Sequence, residues 1–275
     1  MAAHSRTLED TAMWKTYFAR LPEGDSRSAW VHQVYDSSAA YLKDVRLRFQ
    51  NYTLHDETHI LNVLDAMAGI LGDQISQLTV WEVELLILSA CLHDLGMVYT
   101  DTEAKQCFSN KKQAREFLRT SCPELLGYPA EDWPNSIQQW YLRSLHPFRL
   151  PAVLQNKAWR EIFSIRPTEI VPKQCIIAVC QAHGEAPEVF SKNSDMEYLA
   201  ASDVDPLFCA LLLRLADLLD FDDTRAPKVL YSYVACNEKS REEWEKHRSS
   251  GGFRFPVSPS TTRLPYKARC TNPGI

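Results

Sequence analysis

Residues 83–97 read VELLILSACLHDLGM, and this stretch decides the fold. Nearly every position from Val83 to Leu92 is apolar, so a helix formed here has no wide polar face for water and belongs inside other helices. Just upstream, Thr79 and Glu82 have the Thr-x-x-Glu spacing of a capping box, which marks the helix start. The run ends on an adjacent His93–Asp94 pair. An ionised carboxylate at the end of so apolar a helix is costly unless it meets a partner or a metal.

Working outward, helical periodicity dominates the chain. Residues 26–48 place Trp30, Val34, Tyr41, Leu42 and Val45 near one face, and residues 56–72 repeat the pattern with Ile60, Val63, Leu64, Met67, Ile70 and Leu71. Asn110 and Asn135 predict N-caps for helices over about 111–120 and 136–146. Further helices are expected over about 152–163, 169–183, 206–221 and 228–247, with a loop over the proline-rich 121–135. After 248 the helical period gives way to Pro, Ser and short β-like runs. The expectation is an all-α bundle over 1–247, followed over 248–275 by a short irregular or β tail or by the start of a connection to a further domain.

Composition narrows the function classes. Only 9 of the 275 residues are glycine. That is about 3% against a typical ~7%, which leaves little material for phosphate-cradling Gly loops. A net charge of −5 argues against a general nucleic-acid binder. The group Lys105, Lys111, Lys112, Arg115 and Arg119 reads as a solvated face. The eight cysteines form no CxxC, and Cys91, Cys175, Cys180 and Cys209 lie in apolar helical runs as small hydrophobes. With no basic-then-apolar leader and no long apolar span, the chain reads as cytoplasmic, with no membrane role.

Three further places set metal-type side chains in apolar helices. In LHDETHILNVL (54–64), His55 and His59 are four apart and share one helical face. IIAVCQAHGE (176–185) ends on His183, and LLLRLADLLDFDD (211–223) buries Asp217 among leucines. Imidazoles and carboxylates together suit Mn, Fe, Co, Ni or Zn, whereas an all-oxygen site suits Mg. An Asp beside a His can bridge two ions, and water between them, its pKa lowered, becomes a nucleophile near neutrality.

The order and helical setting of His59, His93–Asp94 and Asp217 resemble the H…HD…D signature of the HD-domain superfamily of metal-dependent phosphohydrolases, over residues 50–225. The resemblance implies an HD-type multi-helix bundle in which these four residues bind metal. HDETHILNV is similar to the HNxxHxxDV pattern of cyclic-nucleotide phosphodiesterases, which implies His55 as general acid and His59 as ligand. His146, in RSLHPFR, and His183 resemble the extra ligands of binuclear members such as HD-GYP phosphodiesterases, although the GYP extension is absent.

LLLRLADLLDFDDTRAP and YLRSLHPFR look closest to the HD-CE branch, found in bacterial proteins beside GHKL-type ATPase modules. The implied activity is hydrolysis of a phosphate ester, in a nucleotide, a cyclic nucleotide or a nucleic-acid end, with one or two divalent ions (Mn, Fe, Ni, Co, Zn or Mg) and catalytic roles for His55 and Asp94. The alternative is a non-catalytic HD domain that senses metal or nucleotide and regulates an attached or partner GHKL-type ATPase. A defence-type nuclease is a third possibility. Arg143, Arg149 and Arg225 are expected to bind substrate phosphate. Arg214, three residues before Asp217, is expected to orient or neutralise that carboxylate; Asp220, Asp222 and Asp223 read either as acceptors behind the ligands or as a solvated helix end, with the solvated end favoured.

Overall fold

The computed structural model describes residues 6–50, 52–167, 171–186, 190, 203–227, 238–255 and 264–269. In chain order the elements are α1 (Ala12–Phe18), α2 (Ser26–Leu42), α3 (Val45–Arg48), α4 (Glu57–Leu71), α5 (Val80–Leu92), α6 (Asp101–Ser109), α7 (Lys111–Ser121) and α8 (Asn135–Val153). They continue with α9 (Lys157–Ser164), α10 (Lys173–Ala182), α11 (Pro206–Leu219), α12 (Glu238–Ser249), β1 (Ser250–Phe253) and β2 (Tyr266–Ala268). The fold is all-α, closed by a two-stranded antiparallel sheet of β1 and β2.

Helix α5 is the axle. Its Thr79–Glu82 capping box forms, and every residue from Val83 to Leu92 is buried. Helices α1, α2, α4, α10 and α11 surround it. Each Leu or Ile fully buried there contributes roughly 1.5–3 kcal/mol. Glu84, the buried carboxylate of this helix, accepts hydrogen bonds from the Tyr17 hydroxyl at 2.8 Å and the Arg166 guanidinium at 3.2 Å. Cys91, Cys175, Cys180 and Cys209 are buried and free, while Cys236 and Cys270 lie outside the described residues.

Several expectations change in detail. The helix predicted over 26–48 breaks after Leu42 and resumes as α3. Thr100 and Glu103 form a second capping box that starts α6, which periodicity alone did not separate from its surroundings. Asn110 caps α7 as expected, but Pro134 occupies the cap position of α8 and Asn135 is its first residue. The helices expected over 136–146 and 152–163 become a long α8, with Pro147 and Pro151 inside it, followed by α9. Of the helices expected over 169–183 and 228–247, residues 169–170 and 228–237 lie outside the described residues.

At Pro147 of helix α8 a side chain replaces a lost backbone bond. Pro147 has no N–H to give the Arg143 carbonyl one turn back. The His146 Nδ1–H donates to that carbonyl instead, at 2.5 Å. A smaller core including Leu118, Trp133, Tyr141 and Leu145 binds the α6–α7 lobe to the other face of α8.

Two glycines then let α8 approach the centre. A Cβ on Gly96 would overlap the His146 carbonyl, and one on Gly184 would overlap the Pro147 ring. The glycines that follow His93–Asp94 and His183 thus make room for the third histidine-bearing segment. Among the described residues no single helix is long and apolar enough to cross a membrane.

Candidate metal centre

The fold brings the N-terminus of α4, the middle of α8, and the C-terminal ends of α5, α10 and α11 to one place. His93 and His183 are the C-caps of α5 and α10, where helix carbonyls lack backbone partners. His93 Nδ1–H donates to the Ala90 carbonyl at 3.0 Å, and His183 Nδ1–H donates to the Cys180 carbonyl. With His146 on Arg143, three imidazoles use the same device three residues back along the chain. A carbonyl can only accept, so each ring carries its proton on Nδ1 and turns Nε2 inward.

His59 reaches the same state by another route. Its Nδ1–H donates to Asp220 Oδ2 at 2.5 Å, and Arg225 Nη1 donates to that oxygen at 2.9 Å. Asn62, one turn along α4, donates to Asp220 Oδ1 at 2.8 Å. Asp220 is therefore a buried carboxylate holding a histidine, not the solvated helix end its sequence suggests. The His59 and Arg225 cations hold its carboxyl below the ordinary range against the opposing effect of burial.

Nε2 of His59 lies 3.1 Å from Nε2 of His93, and Nε2 of His146 lies 2.9 Å from Nε2 of His183. Lone pairs facing each other at such distances repel unless a cation or a proton lies between them. Asp94 stands between the pairs. Its Oδ2 is 3.2 Å from His59 Nε2 and 3.3 Å from His93 Nε2, while its Oδ1 is 3.2 Å from His146 Nε2 and 4.0 Å from His183 Nε2. Asp217 Oδ1 lies 3.4 Å from His59 Nε2. Two groups of ligand atoms result, His59/His93/Asp217 and Asp94/His146/His183, each with its atoms within 4.8 Å of one another. The six side chains fit a metal: neutral imidazole nitrogens and carboxylates converge, and all the rings are buried.

Electrostatics follow from this crowding. Burial disfavours charge on His59, as does Arg225, yet hydrogen bonds with Asp220 and Asp94 raise its pKa to about 9. Burial likewise opposes protonation of His93, but the Asp94 carboxylate holds its pKa above the ordinary value. Burial and the neighbouring His146 and His93 depress His183 to about 3. Asp94 itself is held well below the carboxylate range by His93, His146 and His59, despite its burial.

Without metal, His59 therefore carries a proton near pH 7 that a cation must displace. Metal binding at pH 7 is expected to release at least one proton, and affinity should rise with pH until about 9. Calorimetric metal titrations in buffers of different ionisation enthalpy read this release; binding that neither shifts with pH nor releases protons contradicts it.

A cavity of about 410 Å³ opens on the cluster, lined by Thr53, His55, Asp94, Arg143, His146, His183, Asp217, Asp220 and Arg225 among others. Arg143 lies over the Tyr52 ring at 5.5 Å and forms no ion pair among the described residues. Arg225 is buried and donates to His55 Nε2 at 3.1 Å, while His55 Nδ1–H donates to the Thr53 carbonyl at 2.8 Å. Burial and the adjacent Arg225 hold His55 well below the ordinary imidazole range. His55 is thus neutral with Nε2 accepting, which leaves the expected general acid without a proton to give in this arrangement.

Arg149 does not line the cavity. It donates to the carbonyls of Gly96 and Val98, pairs with Glu103 and stacks on Tyr99, pinning α8 to the turn after Asp94. Arg214, instead of reaching Asp217, donates to the carbonyls of Ala182 and Glu185 and so braces the end of α10 beside His183. Sequence reasoning missed Asn62, and it ranked the supporting role that Asp220 takes behind a solvated helix end. The spacing His59–Asn62 on one helical face was the available signal.

The HD-CE family model matches residues 49–274. The chain belongs to the HD-CE family. No curated protein and no solved structure gives a significant match to this HD-CE chain. The matched region of the HD-CE chain contains every residue described at this candidate metal centre, from Thr53 through Arg225, and extends across β1 and β2.

Proposed function

We propose that this HD-CE domain is a metal-dependent phosphohydrolase that cleaves a phosphate ester with two divalent cations sharing Asp94. The observation that carries the reading is the split of one buried carboxylate between two histidine pairs. His59, His93 and Asp217 would hold one ion, and His146 and His183 the other, with an Asp94 oxygen to each. Four imidazoles favour Mn, Fe, Co, Ni or Zn over Mg. Bound there, the cations supply Lewis acidity and lower the pKa of water toward neutrality.

The chain's own groups do the rest. Arg143, open to the cavity and without a carboxylate partner among the described residues, binds the substrate's phosphoryl oxygens. Asp220 fixes the His59 ring so that Nε2 faces inward, and Asn62 and Arg225 fix Asp220. His55 positions Arg225 at the cavity wall. The four imidazoles and Asp94 are buried, which strengthens the interactions among them.

The test loads purified protein with Mn, Co, Ni, Zn or Mg and offers nucleoside phosphates, cyclic nucleotides, oligonucleotides and simple phosphomonoesters. Turnover that chelation abolishes and metal restores is expected with at least one ester. Stoichiometric metal with no turnover of any of them would contradict hydrolysis and leave a domain that only binds.

A further inference from the structure

Trp140 is a large aromatic left 43% exposed on α8. One side of its indole is held at right angles against Phe117, with ring centroids 5.3 Å apart. Its Nε1–H forms no hydrogen bond among the described residues. It lines the metal-centre cavity together with Arg143, Ser144 and Pro147, the residues three, four and seven positions on, so one face of α8 carries them all. His146, on the same stretch of α8, points its Nε2 into the metal centre. The cavity wall thus sets a braced aromatic plane one helical turn from a guanidinium that forms no ion pair among the described residues, next to the groups that would hold the ions.

A ligand that uses this wall fully has a flat π-system a few ångströms from a phosphate. A volume of about 410 Å³ lies in the range of pockets that enclose a molecule of nucleotide size. Leu218, itself exposed at 66%, and Phe221 add apolar lining, which a sugar phosphate alone would leave wet. An indole face stacks on any base, because every base has a π-face.

We propose that Trp140 is the specificity-determining residue of this site and that it stacks the base of a nucleotide whose phosphate Arg143 receives. The inference rests on the phosphohydrolase reading for the placement of that phosphate, but its test reads binding and not turnover.

The experiment measures, by calorimetry on the Mn-loaded protein, the affinities of adenosine 5′-monophosphate, ribose 5-phosphate and phosphotyrosine. The nucleotide is expected to bind about 10- to 100-fold more tightly than ribose 5-phosphate, the range that loss of one base–aromatic stack produces. W140A should bring the two affinities together while leaving bound Mn per chain and ribose 5-phosphate affinity unchanged. W140F should keep most of the difference, and its retained fold and metal exclude a packing defect as the cause. Equal affinities in the unaltered protein, a difference that survives in W140A, or phosphotyrosine binding more tightly than the nucleotide would each overturn the proposal. Failure to hydrolyse any ester would overturn the phosphohydrolase reading and leave this binding preference standing.

Discussion

Asp94→Ala is expected to empty both halves of the metal centre and to abolish turnover. Each Asp94 oxygen serves a different histidine pair, so no other described carboxylate can take over its contact with His146 and His183. Asp217 remains beside His59 and His93, but a lone carboxylate there leaves that group short of a ligand as well. The loss in kcat should be roughly 10³-fold or more, beyond the 10- to 100-fold typical of removing an outer partner of a ligand. Asp94→Asn keeps the shape and removes the charge, and it should fail in the same way. Elemental analysis of the purified variants, with circular dichroism to establish the fold, reads the result. An Asp94→Ala protein that keeps one ion per chain would show that the two groups of ligands are independent.

Gly96→Ala is expected to act on the second group alone. The added methyl would overlap the backbone carbonyl of His146, which no rotamer change can move aside. Helix α8 must withdraw, and the Arg149 bonds to the Gly96 and Val98 carbonyls are strained with it. Overpacking of this kind costs about 1–3 kcal/mol, and a backbone clash belongs at the upper end. In a chain of this size the midpoint of thermal unfolding should fall by roughly 3–10 °C. His146 moves away from His183 and Asp94, so one ion is lost while His59, His93 and Asp217 keep theirs. Metal content at two ions per chain with an unchanged unfolding midpoint would contradict the close approach of α8.

Much of this was legible in local patterns, because the physics behind it is local. The apolar run after Thr79 could only be an interior helix, and its capping box marked the start. His59, His93–Asp94, His183 and Asp217 stood out as polar groups in or ending apolar helices, and the structure brings them together with His146. What stayed hidden depends on partners far along the chain. Asp220 follows a helix end in a run of acids, a pattern that usually faces water, and only the return of α11 against α4 buries it on His59. Arg149 and Arg214 lie beside proposed ligands in sequence, yet each is spent on carbonyls of a neighbouring turn. At Pro147 of helix α8, His146 satisfies the orphaned Arg143 carbonyl, an exchange that no propensity rule registers.

The central claim is that one buried carboxylate joins two cation sites. Anomalous diffraction from crystals of the Mn-loaded protein tests it most directly. The account predicts two peaks about 3.5–4 Å apart, one against His59, His93 and Asp217, the other against His146 and His183, with Asp94 between them. A single peak, or peaks that do not touch Asp94, would contradict it.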